Sequence, residues 1–325
     1  MRIGVIGGGA WGTALAQVAA GHGDDVLLWA REAEVVEAIN GAHHNPLFLP
    51  NVTLAPAIRA TSELAAMAGA DALLLVTPAQ HLRSILGELP QMAVPLVLCA
   101  KGIEAGSQKL MSEGAAEAQP GAPIAVLSGP TFAHEVAAGL PTAVTLACAD
   151  EVVGAALCQR LARATFRPYA SSDVIGAEIG GAVKNVLAIA CGVVDGMKLG
   201  LNARAALISR GFAEMTRFGM ARGARGETLA GLSGLGDLVL TCSSTSSRNF
   251  SLGKAIGEGG RAADLLADRR TVAEGAFTAP VLAEAARAAG VEMPIVAAVC
   301  ALLDGSAGVE AVVTGLLSRP LKTEG

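Results

Sequence analysis

Charge is scarce in this chain. Charged side chains make up 16% of its 325 residues and aromatic ones 3%, against 52% hydrophobic. Such a composition excludes a disordered chain, which needs high charge and few apolar groups. The length corresponds to about two domains and is enough to bury a large core. Positive charge is not in excess either: 24 basic and 29 acidic side chains leave a net charge of −5. That argues against nucleic acid as the main partner, while a local basic patch for phosphate stays compatible with it.

Long apolar runs are missing too, despite a mean hydropathy of +0.50. A membrane span takes about 18 or more consecutive apolar residues. The stretches Val186–Val194 and Ile295–Leu303 are shorter and are bounded by Lys184, Asp195, Glu292 and Asp304. They suit buried helices, so no membrane span is expected. The start, Met1-Arg2-Ile3-Gly4-Val5-Ile6-Gly7, reaches glycine too early for a secretory signal, which points to a cytoplasmic protein. Cysteine pairs are also absent. Cys99, Cys148, Cys158, Cys191, Cys242 and Cys300 form no C-x-x-C motif, and no histidine shows ligand spacing with them. Buried, reduced thiols and no metal are the expectation.

What is present is an alternation of short apolar runs and helical stretches. Arg2–Ile6, Asp25–Trp29, Asp71–Val76, Leu96–Ala100, Ile124–Leu127 and Thr142–Leu146 read as strands. Trp11–Ala20, Glu32–Asn40, Gln80–Leu86 and Gln108–Glu117 read as intervening helices. The strand segments are apolar on both faces, as buried parallel strands are. From about Ser171 strands disappear. Asp173–Met197 reads as one long helix, with Asn202–Met220 and Ala279–Ala289 as further ones. The predicted fold is α/β: an N-terminal Rossmann-like doubly wound sheet, residues 1–176, followed by an all-α domain, residues 177–325.

Gly7, Gly9 and Gly12 form G-x-G-x-x-G between the first strand and the first helix. In such a motif the first glycine permits a tight turn, the second lets the backbone approach a pyrophosphate, and the third permits close helix–strand packing. The helix N-terminus adds free N–H groups for the phosphates. At the end of the second strand, where an acidic residue would hold a ribose 2′-hydroxyl, stand Ala30 and Arg31. Arg31 suits a 2′-phosphate, so NADP is expected to be tolerated or preferred over NAD; a solvent-facing start of the next helix is the competing reading.

Four segments set polar residues beside glycines: Cys99–Gly102, Ser128–Thr131, Gly180–Asn185, and Gly234–Asp237 continuing to Asn249. Lys101 and Ser128 each follow an apolar strand, at the end where open α/β sheets place ligands. Lys184 lies inside an apolar helix with Gly180 and Gly181 on the preceding turn, which suggests room for a ligand beside it. A buried lysine is paired or has a lowered pKa, and can then exchange a proton near neutral pH; a snorkelling lysine at the helix edge satisfies the same periodicity. Arg248 and Asn249 close a Ser/Thr-rich loop before another helix, which suits either a phosphate clamp or a helix cap. These residues together describe a Rossmann enzyme, a dehydrogenase of a small phosphorylated substrate that the residues do not name.

The segments, taken in order, resemble bacterial NAD(P)-dependent sn-glycerol-3-phosphate dehydrogenases over nearly the whole chain. The resemblance rests on G-G-G-A-W-G-T-A-L-A, the Asn45…Leu49-Pro50 stretch, A-K-G-I-E, L-S-G-P-T-F-A, G-G-A-V-K-N-V-L-A-I-A, N-A-R-A-A-L-I-S-R-G, G-L-G-D-L-V-L-T-C, S-R-N and V-A-E-G. The S-G-P-T-F-A and G-L-G-D-L-V-L-T-C segments are specific enough to separate it from 6-phosphogluconate and 3-hydroxyisobutyrate dehydrogenases. Two departures are Ala10, where serine is common, and Ala273, where valine is more usual.

The resemblance implies reversible reduction of dihydroxyacetone phosphate to sn-glycerol 3-phosphate with NADPH or NADH, supplying the backbone of phospholipids, in a cytoplasmic homodimer. It implies Lys184 as general acid/base, with Lys101, Asn185, Asp237 and Thr241 around the substrate. Arg248 and Asn249 would hold the phosphate, and Gly129, Thr131 and Ser247 would contact the substrate. Trp11, Arg31, Ala133, Val272 and Glu274 match cofactor contacts, together with Gly7, Gly9 and Gly12. Lys101 and Arg248 would touch both ligands.

Overall fold

The structure is a computed structural model that describes residues 1–267 and 273–320. Its strands are β1 (Arg2–Ile6), β2 (Asp25–Trp29), β3 (His44–Asn45), β4 (Leu49–Thr53), β5 (Ile58–Thr61), β6 (Ala72–Leu75), β7 (Leu96–Leu98), β8 (Ile124–Ser128), β9 (Thr142–Cys148) and β10 (Phe166–Ser171). One sheet runs in the order β10-β9-β8-β7-β6-β1-β2-β5, and β3 pairs with β4 separately. Its helices up to β10 are α1 (Ala10–Ala20), α2 (Ala33–Ala42), α3 (Leu82–Glu88), α4 (Met111–Ala118), α5 (Ala133–Ala137) and α6 (Glu151–Leu161). They cover both faces of the sheet and bury separate apolar clusters there.

Two features depart from the sequence reading. β9 pairs antiparallel with β8, Ser128 opposite Thr145, although an apolar run is equally compatible with either direction. The edge strands β5 and β10 carry Arg59, Arg167, Pro168 and Tyr169, so neither reads as an apolar run. A proline is tolerated at an edge because one row of N–H groups has no strand to meet.

Chain texture changes where β10 ends. Asp173 caps the next helix, its Oδ1 accepting from Gly176 N at 2.9 Å and its Oδ2 from Arg225 N at 2.8 Å. Helix α7 (Val174–Gly196) has 23 residues, about 34 Å at 1.5 Å per residue. Around it lie α8 (Leu201–Ala221), α9 (Gly226–Ala230), a π-helical turn at Leu232–Gly236, α10 (Asp237–Thr241), α11 (Arg248–Gly257), α12 (Ala262–Ala267), α13 (Glu274–Ala288), α14 (Pro294–Leu303) and α15 (Val309–Leu317). The expected division between residues 176 and 177 therefore falls within the first turn of α7. By length and composition α7 is able to cross a membrane, but 89% of its most apolar window is buried within the protein. It is the central core helix.

Glycines set the distance between α7 and α11. A Cβ on Gly192 would stand 2.1 Å from Phe250 O, and one on Gly196 would stand 2.2 Å from Lys254 O. Reciprocally, Gly253 and Gly257 face Ile189 O and Val193 O at 1.9 and 2.4 Å. With glycines four apart on each helix, the two backbones meet directly, which brings the start of α11 beside Asn185.

Candidate active site

The glycine loop joins β1 to α1. Gly7 has a φ of +129°, and a Cβ there would meet Val76 O at 2.6 Å. A Cβ on Gly12 would lie 1.8 Å from Gly7 O, so this glycine lets α1 rest on the turn. Gly9 faces open space, with nothing within 4 Å of a Cβ, and it caps α1 with no side chain. The first N–H groups of α1 are thus open to an anion. Trp11 and Ala133 are partly buried against the same apolar cluster. Arg31 follows β2 with its side chain 84% exposed, and Glu32 lies 3.7 Å away.

Asn45 braces this loop, a role that no spacing in the sequence revealed. It is fully buried; its Nδ2 donates to Gly8 O at 2.9 Å and Thr13 Oγ1 at 2.8 Å, and its Oδ1 accepts from Phe48 N. Asn45 stood out in the sequence only as part of the Asn45…Leu49-Pro50 stretch of the family resemblance; its bracing contacts form when the strand pair β3–β4 folds over α1.

Across the sheet, two lysines meet one aspartate. Lys184 on α7 donates to Asp237 Oδ1 at 3.0 Å and to Thr241 Oγ1 at 2.8 Å. Lys101, after β7, donates to Asp237 Oδ2 at 2.6 Å and to Gly129 O at 3.3 Å. Thr241 Oγ1 in turn donates to Asp237 Oδ1 at 3.1 Å. The Lys184 side chain is 10% exposed and that of Asp237 1%, so Lys184 is not a lysine snorkelling at the helix edge. Burial, opposed by Asp237 and aided by the Lys101 charge, brings Lys184 down to about 8. Burial pushes the Asp237 carboxyl up, but the two lysines outweigh it and hold it below the usual range.

The glycines before Lys184 differ in use from the sequence reading. Gly180 leaves no room for a ligand: a Cβ there would stand 2.3 Å from Ser233 O and 2.8 Å from Gly234 Cα. It lets the turn before Asp237 sit against α7. A Cβ on Gly181 would meet Ser128 Oγ and the Lys101 stem at 3.1 to 3.3 Å. Gly181 therefore admits the second lysine. Gly129 has a φ of +153°, and its carbonyl also accepts from Thr131 Oγ1 at 3.3 Å.

A second group adjoins the lysines. Asn249 Nδ2 donates to Asn185 Oδ1 at 3.0 Å, and Asn249 Oδ1 accepts from Gly275 N at 2.9 Å. Asn185 and Asn249 thus tie α7, α11 and α13 together. Ser247 caps α11 through Phe250 N at 3.2 Å, while Arg248 beside it is exposed. Glu274, at the start of α13, is partly buried; burial raises its carboxyl, against the charges of Arg248, Lys184 and Lys101. Val272 lies outside the described residues.

A family model described as NAD-dependent glycerol-3-phosphate dehydrogenase N-terminus matches residues 2–153, and its C-terminus counterpart matches residues 173–314. A Novosphingobium aromaticivorans protein named glycerol-3-phosphate dehydrogenase (NAD(P)+) is 67% identical over 324 residues, spanning 99% of this chain and 98% of its own. A Caulobacter vibrioides protein of the same name is 59% identical over 326 residues, spanning 99% and 98%. The crystal structure of glycerol-3-phosphate dehydrogenase from Coxiella burnetii superposes with a TM-score of 0.93 at 39% identity, covering 98% of this chain and 99% of the other.

Proposed function

The chain belongs to the NAD-dependent glycerol-3-phosphate dehydrogenase family and is an NAD(P)-dependent oxidoreductase; from that footing we propose that it reduces dihydroxyacetone phosphate to sn-glycerol 3-phosphate, reversibly, with Lys184 as general acid/base. One observation carries the residue assignment. Lys184 and Lys101 share the two oxygens of Asp237, and each ammonium has three N–H donors. Each uses two of them within the protein. Among the described residues one donor per lysine stays uncommitted, enough to meet a ketone oxygen that gains negative charge.

The residues at the other end fit a dinucleotide: an open Gly9, an uncapped α1 and an exposed Arg31. Arg31 follows β2 and Lys101 follows β7, three strands along the sheet, roughly 14 Å at the usual strand spacing. The bound nicotinamide cofactor supplies the hydride. This chain's residues do the rest. Gly7, Gly9 and Gly12 shape the phosphate loop, Trp11, Ala133 and Glu274 contact the cofactor, as the family resemblance also implies for Val272, and Arg31 favours a 2′-phosphate. Arg248 and Asn249, with Ser247, Gly129 and Thr131, orient the phosphorylated ketone. Lys184 Nζ then hands a proton to the ketone oxygen, while Asp237 stays ionised and Thr241 and Asn185 keep the lysine aimed.

The reading extends to the cell. Product glycerol phosphate would feed phospholipid synthesis, and six free cysteines support a reducing, cytoplasmic setting. Residues 1–176 would serve the cofactor and 177–325 the substrate. A homodimer, which the family resemblance suggests, completes the reading. The deciding experiment follows cofactor absorbance on adding dihydroxyacetone phosphate, with NADPH and NADH in parallel. Consumption dependent on the ketone and lost in Lys184→Met is expected. No consumption with either cofactor overturns the proposal.

A further inference from the structure

Ser128 ends β8, is 4% exposed, and its Oγ bonds no group among the described residues. A buried hydroxyl without a partner loses its hydration with nothing in return, and native proteins keep few of them. Its surroundings are the reacting end of the cleft. A Cβ on Gly181 would stand 3.1 Å from Ser128 Oγ and 3.2 Å from Lys101 Cγ. Gly181 and Lys184 lie three apart on α7 and share a face. Lys101 passes the same glycine on its way to Gly129 O. The Ser128 hydroxyl therefore lies by the Lys101 stem, and neither Lys101 Nζ nor Lys184 Nζ bonds it.

Its chemistry narrows what it binds. Negative charge at this end is served by two ammonium groups, whereas a hydroxyl both donates and accepts and suits a neutral partner that does the same. On the reading proposed above, which this inference rests on, the substrate has three polar parts. The phosphate goes to Arg248 and Asn249, and the ketone to Lys184 and Lys101. The primary hydroxyl beside the carbonyl has no partner yet. We propose that Ser128 Oγ exchanges a hydrogen bond with that primary hydroxyl, which makes Ser128 a specificity-determining residue for hydroxymethyl ketone phosphates over methyl ketone phosphates.

The test compares dihydroxyacetone phosphate with hydroxyacetone phosphate, its analogue lacking this hydroxyl, in the wild type, Ser128→Ala and the isosteric Ser128→Cys. Wild type should prefer the hydroxylated substrate. Both variants should lose roughly tenfold or more in kcat/KM with dihydroxyacetone phosphate and stay within about twofold with the analogue. The melting temperature should hold or rise, because the orphaned group is gone. Equal losses on the two substrates, or no loss on either, overturn the assignment. A wild type inactive on dihydroxyacetone phosphate overturns the functional reading and the Ser128 assignment with it; selective failure in the variants alone leaves the functional reading standing.

Discussion

Lys184 Nζ lies 3.0 Å from Asp237 Oδ1, although the two residues are 53 positions apart. Burial lowers the pKa of this lysine, and the neighbouring Lys101 charge adds to that. Asp237 is the counterweight that keeps the group titrating at about 8. An acid of that strength is protonated at neutral pH and still able to release its proton, which is what a reversible carbonyl reduction demands.

In ketone reduction Lys184 must carry its proton, so kcat/KM should be level below about pH 8 and fall above it. Oxidation of glycerol phosphate needs the neutral amine and should rise through the same region. Steady-state pH profiles in both directions check this; limbs of the same sign would exclude Lys184 as the shared group.

Two substitutions should move that limb in opposite directions. Lys101→Met removes a charge that lowers Lys184, so its residual activity should show the limb at higher pH. Asp237→Asn removes the group that raises it, and the limb should shift below about 8. The aspartate variant should also melt earlier, because breaking a buried ion pair commonly costs about 3–5 kcal/mol.

Gly180→Ala should destabilise the protein with little direct effect on chemistry in the fraction that remains folded. The added methyl meets the backbone of Ser233 and Gly234, which cannot rotate away as a side chain would. A lowered melting temperature is expected, with a loss of about 1–3 kcal/mol for overpacking. An unchanged melting temperature would show that the Leu232–Gly236 turn yields easily.

Stability should also depend on pH below the activity range. Buried Glu178 accepts from Ser112 N at 2.8 Å and Ser112 Oγ at 2.5 Å, and Glu214 accepts from Ile295 N at 2.8 Å. Burial raises both carboxyls to about 7. Between the ordinary carboxylate range and about 7 the folded state holds more protons than the unfolded one, so stability falls as pH rises. Glu178→Gln and Glu214→Gln should each flatten the fall in melting temperature between about pH 5 and 7.5. Unaltered slopes would show that the carboxyls stay charged throughout.

Arg31→Ser should weaken NADPH more than NADH, by about tenfold in KM for one charge-assisted contact. The side chain is exposed and among the described residues has one ion-pair partner, Glu32 at 3.7 Å, so little structural cost confuses the comparison. An unchanged NADPH to NADH ratio would leave the discrimination to other groups.

The sequence by itself determined what local periodicity and local chemistry can encode. Residues 2–29 read as strand, glycine turn, helix and strand because each signal lies within a few positions of the others. Lys184 stood out because a charge inside an apolar helix is rare, and the family resemblance named its companions. Tertiary structure decided everything that depends on separation. Lys101 and Asp237 are 136 positions apart, so no window shows them sharing a carboxylate with Lys184. The direction of β9, the packing of Gly180 on a backbone, Asn45 beneath the glycine loop and the unpartnered Ser128 hydroxyl belong to the same class. Residue type and spacing state which groups are able to pair; only the folded chain fixes which of them meet, because distance, burial and charge are set by neighbours the chain brings from far away.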